Sequence, residues 1–238
     1  MVKPRVKLKE ERGLVFGRDV KMIYSITVIK QSDLNKIEQI QDWMWPTGDI
    51  GMWNVCTLDW LCSHEEHWFT YVKKYDVVVQ AGGGAGLYPR ILAQKFKHVY
   101  TFEPNAMNFN CLVANCQEDN IIKINGALGS RHEFVSNTIQ GYNLNMGENS
   151  VEKKKDSFIP TFKIDDLNLK QCDLIALDIE GREHLALQGA VKTIKRHYPV
   201  VVAENSNNLQ VHAVLDQFGY TIVGHSRGDV IWVSRNNL

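Results

Sequence analysis

The chain has 238 residues, with 27 Lys and Arg balanced by 27 Asp and Glu, and 44% of it is hydrophobic. That suffices to bury the core of one elaborated domain, and zero net charge excludes a whole-molecule field that would recruit nucleic acid or an anionic membrane. No apolar run reaches membrane-spanning length, no signal core opens the chain, and the five cysteines form neither a CxxC pair nor a zinc-ligand spacing. A cytoplasmic protein with reduced thiols is expected.

Lys3, Arg5, Lys7 and Lys9, offset by Glu10 and Glu11, read as a solvated terminus. Residues 13–30 alternate around Gly17 and predict a strand or hairpin. Ser32 is placed to cap a helix over 33–44, which Pro46 and Gly48 end. Trp43, Trp45, Trp53, Trp60 and Trp68 then crowd one short segment. Packing of an N-terminal cap over residues 1–70 is favoured over an acceptor pocket, because aromatic clusters are more often core than site. His64 and His67 lack the HExxH zincin spacing and read as surface or packing residues.

From residue 71 to 238 the pattern is strand, turn, helix, repeated. Apolar runs at 77–81, 98–102, 121–125, 173–178 and 199–204 look buried on both faces, with helices near 87–96, 105–117, 183–197 and 207–218 between them. This is an α/β pattern and predicts a mostly parallel sheet covered on both sides. The segment 129–158 is a long loop rich in polar residues and glycine. The end of the chain predicts an antiparallel hairpin turning at Arg227–Gly228.

Three motifs carry chemistry. The first is VVVQAGGGAG, where Gly82, Gly84 and Gly86 make a GxGxG turn into a helix whose first N–H groups favour an anion. A dinucleotide loop would need its third glycine at Leu87. The second is TFEPN, where Glu103 ends a strand with two acceptor oxygens suited to ribose hydroxyls. The third is DLIALDIEGREH, which sets Asp178, Glu180 and Glu183 at the ligand-binding mouth of the sheet. Three acids so close need a cation: a sulfonium cofactor with its ammonium group would supply one, and so would a metal, although no histidine completes a ligand set. Glu180 or Glu183 singly could instead cap the following helix. No metal site is expected.

QAGGGAGLY (80–88), FEPNAMNFNCLVANC (102–116), NGALGS (125–130) and DLIALDIEGREHLALQGA (173–190), in that order, resemble the FkbM family of S-adenosylmethionine-dependent methyltransferases. The resemblance implies a class I methyltransferase fold, a seven-stranded Rossmann-like sheet with an antiparallel last strand. It implies S-adenosyl-L-methionine as cofactor and a hydroxyl acceptor, often on a sugar or natural product. The neutral net charge and aromatic N-terminal part favour a small molecule or glycan over nucleic acid, and no membrane partner is expected. Carried onto this chain, Gly82, Gly84 and Gly86 contact the methionine end and Glu103 the ribose. Asn105 with Gly126 and Ala127 flank the adenine, and Asp178 and Glu180 face the active site. A hydroxyl acceptor needs to lose its proton, so Glu180 or Asp178 is expected to serve as base or to orient the acceptor.

Two positions depart from the family pattern: Ala176, often Lys, and Gln80, where the pattern has Asp. A Gln80 amide oxygen accepting from the cofactor ammonium would lack charge assistance, so an acid at 80 is expected to tighten binding by about 1 kcal/mol. A non-catalytic module that kept the sheet is the second reading, with Gln80 in its favour. A nicotinamide-dependent oxidoreductase is the third, disfavoured by Leu87.

Overall fold

The computed structural model of the chain describes residues 8–15, 18–25, 37–40, 43–47, 49, 67–138, 150–204, 209–226 and 228–238. Two hairpins come first. Strand β1 (Leu8–Val15) pairs antiparallel with β2 (Arg18–Ser25), as the alternation around Gly17 predicts. Strand β3 (Ile37–Ile40) pairs with β4 (Trp43–Pro46), which corrects the helix expected over 33–44. A helix would turn Trp43 and Trp45 about 200° apart, whereas a strand puts both on one face. Both rings are buried against Ala85 and Cys111, so tertiary packing selects the period of two. Ser32, Trp53, Trp60 and His64 lie outside the described residues.

The main sheet follows. Its elements in chain order are β5 (Val77–Ala81), α1 (Leu87–Ala93), β6 (His98–Glu103), α2 (Ala106–Asn115) and β7 (Ile121–Asn125). Next come four short strands, β8 (Ala127–Leu128), β9 (Phe134–Thr138), β10 (Ser150–Glu152) and β11 (Ile159–Phe162). The chain then returns through β12 (Leu174–Leu177), α3 (Glu183–Gln188), α4 (Val191–His197), β13 (Val200–Glu204), α5 (Leu209–Asp216), β14 (Tyr220–Ser226) and β15 (Asp229–Ser234). The seven-stranded order is β14-β15-β13-β12-β5-β6-β7. Strands β5, β6, β7, β12 and β13 pair in parallel, and β15 runs antiparallel to both of its neighbours.

Strand periodicity divides the interior in two. Val77, Val79, Ala81, Ile175, Leu177, Val201 and Ala203 face Ala186, Leu187, Ile194 and Leu215 of the later helices. Val78, Leu174, Ala176, Val200 and Val202 face Leu92, Phe96 and Leu112, with Trp68 and Phe69. Ala176 is thus an apolar side chain in an apolar layer. Asp173 staples the start of β12 to β5: its Oδ2 accepts from the N–H groups of Asp76 and Val77, both at 2.9 Å.

Two further expectations need correction. The helix predicted over 183–197 is two helices, interrupted at Gly189, where a Cβ would sit 2.1 Å from the Gly129 carbonyl oxygen. The second helix starts afresh because Asp165 accepts from the N–H groups of Lys192 (3.0 Å) and Thr193 (2.8 Å). The segment 129–158 is only partly irregular, since β9 and β10 join β11 and β8 in a four-stranded sheet of order β10-β9-β11-β8. Residues 139–149 and Arg227 lie outside the described residues. Cys111, Cys116 and Cys172 are buried and unpaired, and Cys56 and Cys62 are not described. Among the described residues no helix is long and apolar enough to cross a membrane.

Candidate active site

The C-terminal ends of β5, β6 and β12 open into one cleft of about 1040 Å³, counting its mouth. This is the edge at which open α/β sheets take ligands. The glycine loop after β5 forms one wall. Gly82, Gly84 and Gly86 have φ of 86°, 51° and 104°, a region that side chains disfavour. Their uses differ. A Cβ on Gly82 would fall 2.0 Å from the Asp178 carbonyl oxygen, and one on Gly86 would fall 2.5 Å from Cys116 Sγ. At Gly84 a Cβ would meet nothing within 4 Å. The outer two glycines close the loop on the protein, and the middle one borders open space.

The loop also satisfies its own donors. Gly82 and Gly83 donate to the Phe102 carbonyl (3.1 and 3.0 Å) and Gly86 to that of Gly83 (2.9 Å). Gly84 donates to Glu103 Oε2 at 2.7 Å, while Glu103 Oε1 accepts from the Asn105 N–H at 2.8 Å. Burial pushes the Glu103 carboxyl up to about 7, against the pull of those N–H groups and of the Asn108 side chain. With three donors on its two oxygens, the carboxylate keeps one acceptor site for a further donor.

Gln80 is not on this wall. Its side chain is buried, with Oε1 accepting from Thr101 Oγ1 at 2.5 Å and Nε2 donating to the Gly82 carbonyl at 2.9 Å. It borders a separate small recess beside Trp68, Tyr88 and Asp229. Asn105 is likewise engaged elsewhere: its Oδ1 caps α2, accepting from Met107 (2.9 Å) and Asn108 (3.2 Å). Asn108, Gly126 and Ala127 do line the cleft.

The opposite wall carries the acids. Asp178 follows β12 and lines the cleft. Burial holds its carboxyl well above the ordinary range, and the charge and hydrogen bond of Glu204 raise it further, as do Asp229 and Glu180. One oxygen each from Asp178, Glu180 and Glu204 lie within 4.8 Å of one another, close enough to share a single cation. Glu183 stands apart. Its Oε1 accepts from the N–H groups of Ile179 (3.1 Å) and Gly181 (3.2 Å), which fixes the turn in which Glu180 takes φ 55°. Sequence reasoning missed Glu204 and Asp229. The signal for Glu204 was an acid ending a second buried run: β12 and β13 pair Leu177 with Ala203, so the residues that follow, Asp178 and Glu204, emerge side by side. Asp229 is pushed up to about 7 by burial and by Glu204, against a hydrogen bond from Trp68.

Parts outside the main sheet complete the enclosure, with Trp45 and Asp49 from the N-terminal region and Ser150 and Val151 from β10. The Trp45 indole donates to Asp49 Oδ2 at 2.9 Å. Trp43 and Trp45 are buried against Ala85 and Cys111, and Trp45 also borders the cleft.

Sheet order, the antiparallel strand and a cleft between glycine turn and strand-end acids define a class I methyltransferase fold. The family model of the methyltransferase FkbM domain matches residues 85–222, and the chain belongs to that family. Among solved structures it is similar to methyltransferase FkbM from Methylobacillus flagellatus KT, at 18% identity over 76% of this chain and 59% of that one, with a TM-score of 0.47. It is also similar to Trm5b from Pyrococcus abyssi (11% identity, 96% and 63% covered, TM-score 0.43). A third is TYW2 from M. jannaschii, in complex with AdoMet (15%, 87% and 87%, TM-score 0.40). The chain thus spans less than two thirds of the first two proteins. No curated protein matches it.

Proposed function

We propose that the chain is an S-adenosylmethionine-dependent O-methyltransferase of the cytoplasm, acting on a hydroxyl of a sugar, glycan or small molecule. The observation that carries this reading is the pairing of Glu103 and Asp178 across one cleft whose glycine wall leaves open space at Gly84. That donor set fits a nucleoside with a cationic end. S-adenosylmethionine, when bound, supplies a methyl group activated on a sulfonium.

In this reading Glu103 accepts from a ribose hydroxyl at the acceptor site that its backbone and Asn108 donors leave over. Asn108, Gly126 and Ala127 flank the base, a place the resemblance gave in part to Asn105. Asp178 serves both roles expected of it. One oxygen would meet a cationic group of the cofactor; the other would orient the acceptor hydroxyl and take its proton as the O–CH3 bond forms and the S–CH3 bond breaks, leaving a neutral thioether. Burial, with Glu204 and Glu180 beside it, raises the Asp178 carboxyl, so an arriving cation favours release of its proton. Cofactor binding therefore charges the base, and acceptor binding comes second.

Calorimetry with S-adenosylmethionine, followed by transfer of labelled methyl into a fractionated lysate, tests this. Asp178→Asn should bind cofactor more weakly and transfer nothing even when saturated with it. Full turnover in both Asp178→Asn and Glu180→Gln would overturn the catalytic assignment. No heat and no thermal shift at millimolar cofactor would overturn the cofactor itself.

A further inference from the structure

Arg182 lines the cleft, yet its guanidinium makes no hydrogen bond or ion pair among the described residues. Its Nε is buried and has no hydrogen-bond partner. A desolvated donor left this way is unfavourable, and a planar fork of N–H groups is best satisfied by a carboxylate taken through two parallel bonds. The backbone beneath it is held still. The Arg182 carbonyl accepts from Leu185 (2.9 Å) and Ala186 (3.2 Å), and the turn before it is fastened by Glu183.

Two neighbouring facts say what kind of ligand brings the carboxylate. The glycine-loop donors at 82, 83, 84 and 86 already have acceptors inside the protein, so they are poor candidates for an anion. Gln80, whose counterpart in the family pattern is an acid, has both ends of its amide engaged by Thr101 and Gly82. What faces the cleft from the turn after β12 is a crowded carboxylate at Asp178 and an unpartnered guanidinium at Arg182. Opposite charges on one turn match a ligand that carries a cation and an anion on one carbon.

We propose that Arg182 binds the α-carboxylate of an amino-acid moiety whose ammonium group is held at Asp178. Resting on the reading above, that moiety is the methionine end of S-adenosylmethionine. The charge absent at position 80 is thus supplied from the opposite wall.

The test compares S-adenosylhomocysteine with 5′-methylthioadenosine, which has the same nucleoside and thioether and lacks the amino acid. Titrations use the full chain as wild type, Arg182→Gln and Arg182→Lys, each first shown to keep the wild-type thermal midpoint. Wild type should prefer S-adenosylhomocysteine. Arg182→Gln should lose roughly tenfold to a hundredfold for it, the scale of a charge-assisted bidentate contact, with 5′-methylthioadenosine unchanged. Arg182→Lys should fall between. Equal loss for both ligands, or no loss for either, would overturn the clamp. So would a wild type that binds the two alike, although the cofactor reading would then stand. A wild type that binds neither would overturn both.

Discussion

Asn115 grips Met44 by both ends of its backbone: Oδ1 accepts from the Met44 N–H at 2.7 Å, and Nδ2 donates to the Met44 carbonyl at 2.8 Å. The same Nδ2 reaches the Ala85 carbonyl at 2.7 Å. One buried amide thus joins the β3–β4 hairpin, helix α2 and the glycine loop. Arg90 lies over the Trp43 ring, 4.9 Å from its centroid, and adds to the seam.

Asn115→Ala should therefore loosen the hairpin. It leaves three backbone groups unsatisfied, so a loss of about 2–4 kcal/mol is expected in urea unfolding. Tryptophan emission should shift to the red as Trp43 and Trp45 meet water. Asn115→Asp keeps the acceptor and loses both donor contacts, and should fall between. An Asn115→Ala protein with wild-type stability and emission would show that the hairpin is held by apolar packing alone.

The glycines separate folding from binding. Gly82→Ala drives a methyl into the Asp178 carbonyl at positive φ and should leave little folded protein. Gly84→Ala meets no neighbour and costs only the left-handed conformation, about 1–2 kcal/mol. Its methyl enters the cleft, so nucleoside affinity should drop more steeply than stability. Calorimetry beside thermal melting distinguishes the two effects, and unchanged affinity in Gly84→Ala would move the ligand away from this wall.

Gln80→Asp reverses the expectation raised by the family pattern. The sequence alone suggests tighter cofactor binding. In the fold, the Gln80 amide donates to the Gly82 carbonyl, and a carboxylate there has nothing to donate. The shorter acid would also lie buried near Asp178 and Asp229. Stability should fall by about 1–3 kcal/mol, the penalty of an unsatisfied buried group, and cofactor affinity should not rise. Tighter binding without loss of stability would restore Gln80 to the ligand's contact shell.

Legibility in the sequence followed the range of the physics involved. Buried strands and the helices between them repeat locally, so β5, β6, β7, β12 and β13 were visible from Val, Ile and Leu spacing alone. The terminal hairpin was visible for the same reason. The β3–β4 hairpin was not, because a capping serine and a downstream proline outweighed a two-residue alternation whose partner, Asn115, is 71 residues away. The acids show the same limit. Asp178 and Glu180 share a motif, but Glu204 joins them only through the parallel register of β12 and β13. Glu183, nearest in sequence to that pair, is spent on fastening their turn.

The crowded acids also predict how stability and binding respond to pH. Burial raises Glu103 from 4.5, and Asp229 from 3.8, to about 7, and raises Asp178 as well. Between about pH 4 and 7 the folded chain keeps protons that the unfolded chain has released, so stability falls as pH rises through that window. A tenfold change in a carboxyl's proton affinity is worth about 1.4 kcal/mol, so each of these carboxyls should contribute a fall of up to a few kcal/mol. The thermal midpoint should therefore be higher at pH 5 than at pH 8. Glu204→Gln removes the charge that most strongly opposes ionisation of Asp178, and should flatten the decline. The same substitution gives a binding signature. A cation arriving at Asp178 expels its proton, so S-adenosylhomocysteine should release protons near neutrality, read by calorimetry in buffers of different ionisation enthalpy. In Glu204→Gln one cause of the raised Asp178 is gone while its burial stays, and the release should shrink. Binding without proton release in the wild type would place the ligand's ammonium away from these acids.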